Sequence, residues 1–598
     1  MQNGIDKVAA KTYPAPAPPE APVATISTAT SHMINAYDVK APRVENEHDG
    51  STTSPSLQRL ESMSNVDSAG NVAQPQSTRS NLRLAFILLA LFLSLFVAAL
   101  DATIVATAVP VITHELNSAT GYTWIGGAYL IANAVASPIW AKLSDIWGRK
   151  MIMLSAVGIF FASSAVCATA KTMRVLIAGR ALQGSAGGGL ILLVHVVISD
   201  LFSVRKRSLF MGITEGVWAC AGGLGPPLGG IFSSLVSWRW CFYINLPICG
   251  CAFLLLLCFL DVQHKETSFR VGIKAIDWWG ILSFLAFTLM VLLGLDFGGD
   301  VFAWDSAKVI VLIVVGLAML GAFIFSEAKL ARYPLIPLAL FKDKSNLAAM
   351  GVGAFHGLAF MPGEYYVPLY LQGVKQHSPV RSGVLLIPLV VATAVVGVMA
   401  GVVIHKTGHY RQLIWIGAFL LTLGNGLFIM LDRSTSLATF VGLTIVFGCG
   451  SGMLFEPPLI AIQSRARQED VATATSTFSF CRSIALSVSV IIGGVVFQNG
   501  MDVQSDKLKQ AGLPENIVAA VSGKEAAANV ALASQLTDLT QRYAVEEAFA
   551  WSLRNMWIMY TVLAFLALLC GVFVEKANLS KDHVETVTVS HLVNLRSE

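Results

Sequence analysis

An all-α membrane protein, its helices crossing the bilayer many times, is what this sequence predicts. The 598-residue chain is 55% hydrophobic and only 13% charged, where soluble domains carry about 25% charge. Its mean hydropathy is +0.64. From Leu82 onward, apolar runs of about 20 residues, the length that crosses hydrocarbon, recur with short polar breaks. Lipid offers the backbone no hydrogen bonds, so such runs must fold as helices.

Taken in order, residues 1–80 are rich in Pro, Ser, Thr, Asn and Ala, as in PAPAPPEAPVATISTATS from Pro14. A disordered cytoplasmic tail is expected there. No apolar stretch lies near Met1, so no cleaved signal peptide is expected and the first run inserts as an anchor. Spans are placed near 84–108, 121–141, 151–170, 174–199, 208–235, 240–260, 276–296, 308–328, 346–373, 382–404, 412–431, 437–463, 472–497 and 552–575, fourteen in all. With both termini inside, the cytoplasmic loops carry seventeen Lys and Arg and the opposite short loops seven, which fits the positive-inside rule. The long external loop, 498–551, holds four basic and seven acidic residues. Its helix-like apolar spacing suggests a lid on the membrane or on the protein itself.

An internal repeat organises the spans. AKLSDIWGRK from Ala141 and GVVIHKTGHYR from Gly401 share a small residue, a polar residue and a glycine at an offset of 260. Parallel six-span repeats build transporters whose halves rock about a midplane site. The division that follows is a six-helix bundle over 81–260, a two-helix insert with linkers over 261–345, a second six-helix bundle over 346–575 and a cytoplasmic tail over 576–598.

Few polar residues stand at hydrocarbon depth. Asp101 lies inside the first span and Arg180 inside the fourth, with Gln183 one turn on. A charge there costs about 2.5–3.5 kcal/mol and must face the bundle interior or water. Asp101 reads as a proton site or as a structural hydrogen-bonding group, and Arg180 as its partner in proton coupling or in a fixed ion pair. Asp145, Gly148, Arg149 and Lys150 form either a gate latch at a helix terminus or simple topology charge. The fifth span holds Gly212, Gly225, Pro226, Gly229 and Gly230. These suit a bent helix at a moving interface, or close packing alone. Glu364 beside Tyr365, with His356 two turns earlier, reads as a second titrating site, a cationic-substrate contact or a hydrogen-bonded pair. Arg482, Phe355, Phe455 and Phe478 are candidates to line a pocket, while His195, Glu215 and Glu456 read as packing or local pairing.

These segments carry a resemblance. Gly225-Pro226-x-x-Gly229-Gly230 resembles the antiporter motif of drug:proton antiporters in the major facilitator superfamily, with Ala221 where that motif usually has Gly. LDATIVATAVP from Leu100 resembles their first-span signature, LIAGRALQGSAGGG their arginine motif, and Asp145 with Gly148-Arg149-Lys150 their loop 2–3 signature, in which Ala141 and Ile146 depart from the pattern. WRWCFYINLP, AIDWWG, YYVPLYLQ, SPVRSGVLLIP and ATATSTFSFCRSI resemble further segments of the fourteen-span subfamily, especially its fungal toxin-efflux members. The resemblance covers nearly all of 82–575. It implies a major facilitator fold of two six-helix bundles plus two inserted helices. The implied function is proton-coupled export of hydrophobic toxins, metabolites or drugs by alternating access, with proton coupling at Asp101 and Arg180. It further implies a monomer in the plasma membrane, or alternatively the vacuolar membrane, driven by the proton gradient without a cofactor.

Other classes fit less well. Net charge of +4 without a basic stripe argues against nucleic acid. All nine cysteines lie in apolar runs, which gives no disulfide framework and no metal spacing. Neither a phosphate-binding GxxxxGK[ST] nor an HExxH occurs, so an enzyme is not expected. A siderophore or nutrient carrier, or a sensor that has lost transport, would keep the same architecture.

Overall fold

Each predicted run becomes helix. The computed structural model describes residues 81–116, 121–261, 276–298, 302–331, 335–336, 338–467, 470–527, 529–530 and 532–579. The expected tails at 1–80 and beyond 579 lie outside the described residues, which belong to one compact unit, Thr78–Glu598. The long helices are α1 (Asn81–Ile104), α2 (Gly121–Trp147), α3 (Arg149–Ala168), α4 (Met173–Leu201), α5 (Val204–Ile231), α6 (Asn245–Phe259), α7 (Trp278–Phe297) and α8 (Ala307–Phe325). After them come α9 (Lys344–Gly373), α10 (Pro379–Thr407), α11 (Arg411–Phe428), α12 (Leu437–Gly452), α13 (Pro457–Arg465), α14 (Val471–Gln510) and α15 (Leu539–Val572). Among the described residues, eleven helical segments are long and apolar enough to cross a membrane, α12 and α13 counting as one. The other three predicted spans, α2, α9 and α11, are helical too, but polar, aromatic and proline residues lower their apolarity. Examples are Pro362, Glu364 and Tyr365 in α9 and Arg411-Gln412 at the start of α11.

Two boundaries differ from expectation. α14 continues to Gln510 and α15 begins at Leu539, so the loop expected over 498–551 shrinks to 511–538. The cause is a helical stripe that the charged residues mask: Phe497, Met501, Gln504 and Leu508 are all buried, at spacings that put them on one face. Phe497 meets Phe549 of α15 with ring centroids 5.6 Å apart. Gly512, at φ +80°, turns the chain after α14.

The packing repeats along the chain. α1 packs on α5 and α6, α2 on α4, and α3 on α4 and α6. In the second half α9 packs on α14 and α15, α10 on α12, and α11 on α12 and α15. The halves meet where α5 lies on α10 and where α2 lies on α14. α7 and α8 pack on each other, and α7 also touches α2 and α14. The sequence repeat has the same register: Gly148 after α2 and Gly408 after α10 both take positive φ, +89° and +75°. Helix contacts are duplicated as well. On α4, Gly184 and Gly188 lie against the backbone of Tyr129 and Asn133; on α12, Gly448 and Gly452 lie against the Leu389 and Thr393 carbonyls. Small residues four apart let two backbones approach this closely.

Candidate functional site

Asp101, on α1, is fully buried, and both its oxygens are occupied. Oδ2 accepts from Arg180 Nη1 at 2.5 Å; Oδ1 accepts from Gln183 Nε2 at 2.8 Å and from Asn245 Nδ2 at 2.7 Å. Arg180 also donates through Nε to the Ile125 carbonyl at 3.0 Å and through Nη1 to Gln183 Oε1 at 2.8 Å, and its guanidinium stands 4.3 Å from the Tyr129 ring centroid. Gln183 donates to Ser164 Oγ at 2.8 Å. Five helices, α1, α2, α3, α4 and α6, thus close on one network inside the first half. Asp101 and Arg180 are thus paired as the sequence suggests, and the pairing is compatible with both readings, a proton-coupling site and a fixed ion pair. Gln183, a candidate substrate contact, belongs to this network. Asn245 and Ser164 were not singled out in the sequence, since neither lies within a helical turn of a charged residue in its own span as Gln183 does.

Asp145, at the end of α2, accepts from Arg149 Nη1 at 2.5 Å, and Arg149 Nε donates to Asp200 at 2.7 Å. Gly148 turns the chain so that Arg149 can reach both carboxylates, while Lys150 beside it is half-buried. Asp145 also accepts from Thr473 of α14 at 3.5 Å, across the junction of the halves. More bridges lie at this end. Arg205 donates to the carbonyls of His405 and Lys406 at 2.8 and 2.5 Å, and His405 Nδ1 donates back to the Arg205 carbonyl at 3.1 Å. Arg207 donates to Gln463 Oε1 at 3.1 Å, and Ser208 Oγ to the Gly401 carbonyl at 3.3 Å. This end is tied shut.

Away from that end the halves separate along α5. Gly212 lies against Gly401 and Val398 of α10, and Gly216 against Val398, but Gly222, Gly223 and Gly230 meet open space. Gly225 and Gly229 turn the other way, onto Thr103, Ile104 and Thr107. Thr103 Oγ1 donates to the Ala221 carbonyl at 3.3 Å and Thr107 Oγ1 to the Pro226 carbonyl at 3.2 Å. α5 stays helical through Pro226, and Gly225 and Gly229 pack closely on α1.

A second polar cluster lies between the halves, formed of residues that the sequence offered only singly. Glu215 and Arg482 each stand eleven residues from the tied ends of α5 and α14. At 1.5 Å per residue that is about 17 Å in, near the middle of a core about 30 Å thick. The span of α12 and α13 breaks at the same level, where Pro457-Pro458 cannot continue the helix. The break delivers Phe455 and Glu456. Glu456 Oε1 lies 3.8 Å from Nε2 of His195 on α4. Arg482 stands 4.2 Å from the Phe455 ring centroid and donates to the Phe455 carbonyl at 3.4 Å. His356 of α9 is fully buried against Phe455, ring centroids 4.8 Å apart, and Phe360, 5.7 Å. Phe478 is buried against Gly353, and Phe355 is half-buried. Glu364 and Tyr365 are exposed on α9, away from this cluster. Among the described residues no group of His, Cys, Asp and Glu could hold a metal.

The model of the Major Facilitator Superfamily matches residues 91–490. Efflux pump dotC of Dothistroma septosporum (strain NZE10 / CBS 128990) is 43% identical over 503 residues, which cover 84% of this chain and 86% of that protein. The MFS-type transporter ppz2 of Metarhizium majus is 42% identical, with 87% and 89% covered. Efflux pump FUS6 of Gibberella fujikuroi is 36% identical, with 74% and 80% covered.

Proposed function

Because the chain belongs to the Major Facilitator Superfamily, we propose that this multi-pass membrane transporter exports hydrophobic small molecules in exchange for protons, by alternating access. The observation that carries the proposal is the asymmetry of the junction: hydrogen bonds tie the halves at the Arg149 end, whereas α5 parts from α10 toward the other. Alternating access needs two such arrangements, each closing one end. The relatives' names as efflux pumps support the outward direction. If the tied end is cytoplasmic, as its basic loops suggest, this conformation faces outward. We place the transporter in the plasma membrane, as a single chain with both termini inside, where the inward proton gradient supplies the energy.

The test uses the full chain reconstituted in liposomes, with the lipophilic dye rhodamine 6G and the unmodified hydrophobic probe Nile red. Transport driven by an imposed pH gradient and abolished by a protonophore is expected for at least one of them. Dye movement indifferent to the gradient would overturn proton exchange.

A further inference from the structure

The cluster between the halves has a charge imbalance that one proton corrects. It contains the carboxyls of Glu215 and Glu456, the guanidinium of Arg482 and the imidazole of His195. With both carboxyls ionised and the imidazole neutral, it carries one net negative charge at hydrocarbon depth, which lipid surroundings penalise heavily.

Hydrogen-bond direction says where the proton goes. His195 Nδ1 lies 2.8 Å from the Ile191 carbonyl. A carbonyl only accepts, so Nδ1 carries the hydrogen, and Nε2 of a neutral ring is then a bare acceptor. Nε2 faces Glu456 Oε1 at 3.8 Å. Two acceptors face one another unless one of them holds a proton. The other carboxylate oxygen, Glu456 Oε2, belongs to a residue 3% exposed and has no hydrogen-bond partner among the described residues. Glu215, from the opposite half, stands within electrostatic reach of Glu456, Arg482 and His195. Of the other elements around the cluster, α9 contributes His356, and α10 offers Gly397 against the Glu215 side chain, with no titratable group.

We propose that Glu456, with His195 and Glu215 across the junction of the halves, is the binding site of the exchanged proton. The proposal rests on the proton-exchange reading above and locates its proton away from Asp101. His195 and Glu215 belong to one half and Glu456 and Arg482 to the other. The proton is therefore held best while the halves touch at this level, and parting them takes away its second holder. Proton binding and the arrangement of the halves are thereby linked, each favouring the other.

Infrared difference spectroscopy on the full chain in liposomes, cycled between acid and alkaline buffer with no ligand but the proton, tests this directly. Wild type should show a protonated-carboxyl C=O band that disappears on alkalinisation. Glu456→Gln should lose that band, and His195→Gln should displace its frequency. Glu215→Gln, a change on the other half, keeps the test decisive if Glu456→Gln fails to fold, and should alter the same band. Spectra of Glu456→Gln and Glu215→Gln that superimpose on wild type would overturn the site while leaving gradient-driven dye transport by wild type intact. The converse result, a titrating band in wild type with dye movement indifferent to the gradient, would reject the proton-exchange reading on which the proposal rests.

Discussion

At the scale of single residues, Asp101 is a buried carboxylate whose two oxygens are both held by donors, Arg180 foremost. Asp101→Asn would leave the guanidinium of Arg180 buried without its counter-charge, and breaking a buried pair from one side costs about 3–5 kcal/mol. The expected outcome is a lower melting temperature in detergent and less folded protein in the membrane. A variant that folds as wild type and loses only its response to the gradient would return the proton to Asp101. Outside the membrane-spanning segments, Arg239 and Trp238 hold the Glu115 carboxyl below its ordinary value of 4.5, with Arg239 Nη1 at 2.7 Å and Trp238 Nε1 at 2.8 Å. A depressed carboxylate contributes stability above its unfolded pKa and loses it as pH falls through the lowered value. Glu115→Gln should therefore flatten the acid limb of the melting temperature against pH. The effect is small, at most about 1 kcal/mol, since both partners are partly exposed. Asp101, Arg180 and Gln183 were legible in the sequence because charge and amide at hydrocarbon depth stand out. His195, Glu215 and Glu456 read only as packing or local pairing, since each lies in a different run and only the fold brings them together.

Helices obey the same logic with backbones in place of side chains. Gly184 and Gly452 each belong to the duplicated helix contact of their half, and a side chain at either would overlap a facing carbonyl, Tyr129 or Thr393. Gly184→Leu and Gly452→Leu should each reduce the yield of monodisperse protein, by an overpacking cost of about 1–3 kcal/mol or more, read by fluorescence-detected gel filtration. Gly230→Ala meets open space and should leave the yield unchanged. The apolar runs gave nearly every helix its place, because length in hydrocarbon is a strong constraint. They missed the extension of α14, where the buried stripe from Phe497 to Leu508 is interleaved with Asp502, Asp506 and Lys507. The break between α12 and α13 was hidden for the opposite reason: Pro457-Pro458 sits inside a run apolar enough to read as one span.

For the whole molecule, alternating access as proposed above makes the ties at the Arg149 end a term in the balance between two arrangements. Arg205 and Arg207 donate across the junction to His405, Lys406 and Gln463, and hydrogen bonds from charged groups are worth about 1.5–3 kcal/mol each. Arg205→Ala with Arg207→Ala should shift the population toward opening at that end by about tenfold or more. Double electron–electron resonance between spin labels at Ser203 and Thr407 would record it as a new, longer distance; an unchanged distribution would mean that helix packing, not these ties, closes the end. The repeat at an offset of 260 announced the two-part design, but the closed end was beyond the sequence, since which of two near-equal conformations is populated depends on small differences between many contacts.

The pair α7 and α8 breaks the near-symmetry of the halves in a way that bears on cargo. By lying along α2 and α14 it shields one flank of the molecule, and among the described residues no helix pair takes the corresponding place beside α5 and α10. If the cargo is hydrophobic, as proposed above, a compound arriving sideways from the lipid meets an extra layer of helix along α2 and α14.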